Sequence, residues 1–100
     1  MPRFTTSELA ESDLEEIFLY IAHDNRDAAI RFIRDMMKRF DLAAGNPEMG
    51  VVKDDLADGI RMFPYKNYNI YYFPKEYGVE VYRIVHSSRD VLHIFGDPID

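Results

Sequence analysis

Six residues in the second half of the chain have side chains suited to gripping or transforming an anionic group: Arg61, Tyr72, Tyr82, Arg83, His86 and Arg89. Arginines with an imidazole and a phenol nearby are the raw material for cutting RNA. That reaction must activate a 2′-hydroxyl, stabilise a crowded phosphate and protonate a leaving oxygen, so the groups have to converge. Strand alternation argues against convergence, because it sets Arg83 and Val85 on one face and Tyr82, Ile84 and His86 on the other. The chain also has only four lysines, and no cluster of them falls in its strand-rich half. We therefore expect no catalytic residue and read the six as partner-binding or target-binding candidates, since arginine and tyrosine are common interface anchors. The structural alternative for Arg61 and Arg83 is an ion pair with Glu80 or with the loop acids Asp55 and Asp58. For His86 it is a strand-end ring with a backbone partner, and for Arg89 and Asp90 a local turn. His23, His86 and His93 share no metal-type spacing with carboxylates, and the absence of cysteine removes thiolate sites and disulfides. Neither a metal nor a cofactor is expected.

The elements that must position these residues are legible from spacing. Phe4 to Thr6 forms a short first strand, and Ser7 is a helix N-cap followed by the acids Glu8 and Glu11. Ala10, Leu14, Ile17, Phe18 and Ile21 recur at three- and four-residue steps, which predicts a helix to about His23. The polar run 24–27 offers capping side chains for a second helix, whose stripe is Ala29, Phe32, Ile33, Met36, Phe40 and Ala43. So short a connection makes the two helices an antiparallel hairpin, and Gly45 and Pro47 end the second. Leu19 and Met37 fall off the two stripes, as isolated exposed residues or as the mark of a docking groove.

After a loop over 46–58, the segments Gly59 to Phe63, Tyr68 to Phe73 and Val79 to Val85 are dense in β-branched and aromatic residues, with turn residues at 64–67 and 74–78. They predict three strands paired as an antiparallel meander. The fold class expected is α+β in a single domain over residues 1–100: an N-terminal strand and a helix hairpin packed on a three- to four-stranded antiparallel sheet. The strands carry large side chains on both alternating sets, so the face away from the hairpin is expected to be covered too, with a partner as one source of cover.

Composition narrows the function classes. With 100 residues and 47% hydrophobic content the chain can bury a core of its own. A net charge of -6 argues against a generic or sequence-specific nucleic-acid binder, which needs a basic surface to displace counterions from phosphates. The charge is uneven. Residues 7–27 hold seven acids against Arg26 alone, while residues 59–89 hold five bases against Glu76 and Glu80. No apolar run approaches the roughly 20 residues of a membrane span, and the N-terminal residues do not read as a secretion signal, so the expected location is cytoplasmic.

The order of motifs resembles one family. Ala10-x-x-Asp13-Leu14-x-x-Ile17, then Tyr20-Ile21, Asn25 and Ala29, resembles the opening of ParE-type toxins of the ParE/RelE toxin–antitoxin superfamily, the plasmid stabilisation proteins. The similarity continues through Leu42-Ala43, Pro47 and Gly50 to Asp55-Leu56-x-x-Gly59-Ile60-Arg61-x-Phe63-Pro64, then Tyr68-x-Ile70-x-Tyr72. It closes on residues 81–90, Val81-Tyr82-Arg83-Ile84-Val85-His86-Ser87-Ser88-Arg89-Asp90. It departs in its acidic total charge, in Arg26 where a proline is common, and in a short tail past Asp90. The resemblance implies a helix hairpin on an antiparallel sheet, a ParD-like antitoxin as partner and DNA gyrase as target. The alternatives are a RelE-like ribosome-dependent mRNA endonuclease and a degenerate member that only binds its antitoxin. On the leading reading, Arg83→Ala is expected to reduce toxicity more than thermal stability.

Overall fold

Ser7 begins the first helix as its residue type suggests. Its hydroxyl accepts from the Ala10 N–H at 3.0 Å and donates to the Tyr82 carbonyl at 2.7 Å, so one side chain caps the helix and ties it to a strand 75 residues away. The computed structural model describes residues 1–95. It has β1 (Arg3–Thr6), α1 (Glu8–Ala22), α2 (Arg26–Ala44), β2 (Val51–Val52), β3 (Arg61–Tyr65), β4 (Tyr68–Lys75), β5 (Gly78–His86) and a short α3 (Val91–Ile94). Asn25 caps α2, accepting from the Ala28 N–H at 3.0 Å. Among the described residues no helix is long and apolar enough to cross a membrane.

The architecture is α+β, and the sheet is larger than its local patterns indicate. It has five strands in the order β1-β5-β4-β3-β2. The meander β3–β4–β5 is antiparallel, β2 adds antiparallel to β3, and β1 pairs with β5 in parallel. The expectation of three to four antiparallel strands is corrected at both edges. β2 is two residues in a loop, too short to leave a period, and the direction of β1 depends on a pairing across some seventy residues of chain. Gly78 makes that pairing possible. Its φ is +144°, and a Cβ there would stand 2.0 Å from the Arg3 carbonyl oxygen, so only glycine lets β1 lie against the start of β5.

Strand boundaries also shift. β3 runs through Pro64 and Tyr65, and β4 through Pro74. β2 reaches only Met62 along β3, and β3 reaches only Tyr72 along β4. Neither proline therefore faces a neighbour strand on the side where its missing N–H would be needed.

The hairpin covers one face of the sheet. Ala10, Leu14 and Ile17 of α1 and Met36, Phe40 and Ala43 of α2 pack on Phe63, Ile70, Tyr72, Val79, Val81 and Ile84. The other face has its own cluster of Ile60, Tyr71 and Val85, covered by Leu56, Val91, Ile94 and Phe95. The Phe95 ring meets Tyr71 edge-on at 4.9 Å and Tyr82 at 5.8 Å. The second apolar face is thus covered by the chain's own 56–60 loop and α3, not by a partner.

Candidate functional site

The six residues singled out above do not form one surface. Tyr72 is fully buried. Its hydroxyl donates to the Pro47 carbonyl at 2.6 Å and accepts from the Gly50 N–H at 2.9 Å. Arg61 reaches the same loop, its Nη1 donating to the carbonyls of Glu48 at 3.1 Å and Gly50 at 2.8 Å, instead of pairing with Asp55 or Asp58. Together they pin residues 47–50. Gly50 is required there, since a Cβ would stand 2.7 Å from the Tyr72 oxygen. Burial raises the Tyr72 pKa above its ordinary value, only partly offset by the Gly50 hydrogen bond. Tyr82 turns to the opposite face and packs against Phe73 at 5.5 Å.

Arg83, His86 and Arg89 do line one cleft, although Arg83 and His86 leave opposite faces of β5 as alternation requires, because the cleft opens along the edge of β5 that meets α1. The ladder between β4 and β5 slips by one at Tyr71 and Tyr72: Tyr71 faces Arg83, but Tyr72 faces Val81, leaving Tyr82 as the extra residue of a bulge. The bulge resets the two-residue period between Val81 and Arg83 and leaves residues 83–86 alternating. Val79 and Val81 before it and Ile84 after it all join the core beneath the hairpin, while Val85 joins the far cluster. Arg83 turns toward α1, where its Nε and Nη2 donate to the two oxygens of Asp13 at 2.8 and 3.1 Å. The Ile84 N–H donates to the same carboxylate at 2.9 Å. Asp13, not Glu80, is the partner; Glu80 lies 3.7 Å from Lys75. The bond to Asp13 raises the Arg83 pKa, outweighing its partial burial. Asp13 entered the sequence reading only within the family motif and not as a partner for Arg83, though it stands on the apolar stripe between Ala10 and Ile17, the sign of a buried charge needing a partner.

His86 follows the strand-end reading. Its Nδ1 accepts from the Ser88 N–H at 3.1 Å and sits 2.8 Å from the Ser88 hydroxyl, so the neutral ring carries its proton on Nε2. Its ring stands edge-on to Tyr68 at 5.3 Å. These groups line a cleft of about 590 Å³ between α1 and the adjoining ends of β4 and β5, with Ser12, Glu16, Tyr20 and Ile94 among its other walls.

A second concavity lies on the hairpin. Phe4, Phe18, Ile30, Ile33 and Met37 form the floor of a groove of about 510 Å³, rimmed by Arg34, Lys38 and Asp41. Ile30 and Met37 are 40% and 36% exposed. Met37, off the core stripe of α2, is one of its walls; Leu19 stands alone at 59% exposure. Among the described residues no group of three His, Asp or Glu side chains could hold a metal ion.

Fold and groove define a small α+β protein whose exposed features suit recognition by another chain. Residues 5–91 match the family described as ParE toxin of type II toxin–antitoxin system, parDE, and the chain belongs to that family. Toxin ParE1 of Mycobacterium tuberculosis is 29% identical over 92 residues, covering 89% of this chain and 93% of that protein. A solved structure described as the chromosomal ParDE TA system from P. aeruginosa superposes with a TM-score of 0.70 at 16% identity, over 86% of this chain and 96% of that one. That likeness is one of fold.

Proposed function

We propose that this ParE-family toxin is held inactive by a ParD-like antitoxin that lays an amphipathic helix in the hairpin groove, and that the free toxin inhibits DNA gyrase in the cytoplasm. The observation that carries the antitoxin half is the groove itself. It is floored by five apolar side chains and rimmed by two cations and one acid, and its size suits the i, i+3, i+7 anchors of a helix. Arg34 and Lys38 favour acidic residues flanking those anchors. The gyrase half rests on family membership together with the division of the cations, Arg61 pinning a loop and Arg83 engaged by Asp13. The toxin acts in this reading by binding, not by catalysis.

The experiment pairs two measurements. Co-expression with the neighbouring antitoxin gives a stable complex, and Met37→Glu or Ile30→Glu in the groove weakens it at unchanged melting temperature. Toxin released from the complex inhibits supercoiling or traps cleaved DNA and leaves messenger RNA intact in a translating extract. One observation supports the endonuclease as a second reading: Arg83, His86 and Arg89 line one cleft. Codon-positioned cleavage in the extract, abolished by Arg89→Ala, decides for it. Antitoxin binding with inactivity in both assays identifies a degenerate member.

A further inference from the structure

The cleft between α1 and β5 shares no lining residue with the hairpin groove, and its volume of about 590 Å³ is that of a small-ligand site. Three kinds of group line it. β5 and the turn after it supply Arg83, His86 and Arg89; α1 supplies Glu16 and Tyr20, four residues apart and so on one helix face; β4 supplies Tyr68. Asp13 holds Arg83 by Nε and Nη2, leaving Nη1 without an acceptor among the described residues. Neither Arg89 nor Glu16 makes an ion pair among them. His86 is anchored through Nδ1, so Nε2–H remains to donate.

A matching ligand needs an anion for the guanidinium and imidazole donors, a flat ring for the phenols, and adjacent donors for the carboxylate. Phosphate is the anion that planar guanidinium forks suit. Tyrosine rings stack nucleobases. Among the common bases only guanine presents two neighbouring N–H donors on its Watson–Crick edge, the pattern a carboxylate accepts bidentately. Asp13 also lines the wall, but its oxygens already accept from Arg83 and Ile84, so Glu16 is the acid left to read the base. The chain's net charge of -6 suits one phosphate better than a tracked backbone.

We propose that this cleft binds a guanine mononucleotide, free or as the end of a strand. The phosphate lies against Arg83 Nη1, His86 and Arg89, and the base on Tyr20 and Tyr68 with its donor edge on Glu16. The test is an NMR titration of the isotope-labelled full-length chain with GMP, AMP and inorganic phosphate. GMP shifts the amides of residues 12–20 and 83–89 and binds at least about tenfold tighter than AMP or phosphate, the worth of one well-made charge-assisted pair. Arg89→Ala weakens GMP by about tenfold, and Glu16→Gln removes the preference over AMP. Both side chains are exposed, so melting is unchanged. An oligonucleotide ending in guanosine monophosphate that binds tighter than GMP assigns a strand end; one that binds more weakly assigns the free nucleotide. Equal binding of the three probes, shifts confined to other surfaces, or a guanine preference that survives Glu16→Gln overturns the proposal and leaves the antitoxin reading untouched.

Discussion

Removing either partner of the Asp13–Arg83 pair should unfold much of this protein's stability margin. The two side chains are 11% and 19% exposed, linked by bonds of 2.8 and 3.1 Å, and the same carboxylate accepts the buried Ile84 N–H. Arg83→Ala leaves the carboxylate with one backbone donor, and Asp13→Ala leaves both a guanidinium and an amide without an acceptor. Breaking a buried pair from one side typically costs about 3 to 5 kcal/mol, out of the roughly 5 to 15 kcal/mol that holds a small domain together. For a chain this size each kcal/mol moves Tm by roughly 4 to 8 °C, so either single variant should melt at least about 12 °C lower. The double variant Asp13→Leu/Arg83→Met, which replaces the pair with apolar groups, should recover only part of that loss: the desolvation of both charges disappears with them, but the buried Ile84 N–H still lacks its acceptor, at about 1 to 3 kcal/mol. The assay is urea and thermal unfolding followed by circular dichroism, with toxicity scored in parallel. The sequence alone favoured a loss of toxicity for Arg83→Ala; the geometry predicts a loss of fold first. An Arg83→Ala variant that melts within about 1 kcal/mol of the parent yet has lost toxicity would refute this reasoning, and would mean that the guanidinium faces a target.

Tyr72→Phe deletes a hydroxyl that serves two buried backbone groups and should cost about 2 to 4 kcal/mol, with faster amide exchange at Gly50 as the local sign. Gly78→Ala drives a Cβ into the Arg3 carbonyl and should detach β1, at more than about 3 kcal/mol; an unchanged melting curve contradicts the parallel β1–β5 pairing. Tyr65, Tyr68, Tyr71 and Tyr72 all have pKa values raised from 10.0, chiefly by burial. The unfolded state therefore ionises first, and the stability these phenols contribute is fully present below about pH 10 and lost as pH rises through their folded values, which alkaline titration of the unfolding free energy measures. Met37→Glu should weaken antitoxin binding at least about tenfold with Tm unchanged, checked by calorimetry on the purified pair.

Much of this molecule was legible locally. A hydroxyl before acids, an asparagine in a polar turn and apolar steps of three and four fix two capped helices, because those signals act within a turn or two of chain. The strand-rich second half and the family-like order of motifs were equally plain, and His86 has the backbone partner expected of a strand-end histidine. What the tertiary structure decided lies in contacts across long stretches of chain. The partner of β1, the carboxylate that claims Arg83 seventy residues away, and the covering of the far face by residues 56–60 and Phe95 have no local signature. Tyr72 and Arg61 read as exposed anchors because their acceptors are backbone carbonyls of a loop, which composition does not distinguish from any others. The two-residue alternation that separates Arg83 from His86 holds in the structure, but it decides only which face of the sheet each side chain leaves from. Beyond its pairing with β1, the edge of β5 meets α1, where Asp13 takes both the Ile84 N–H and the Arg83 guanidinium, so side chains from both faces reach one cleft, a condition that exists only once helix and strand are packed.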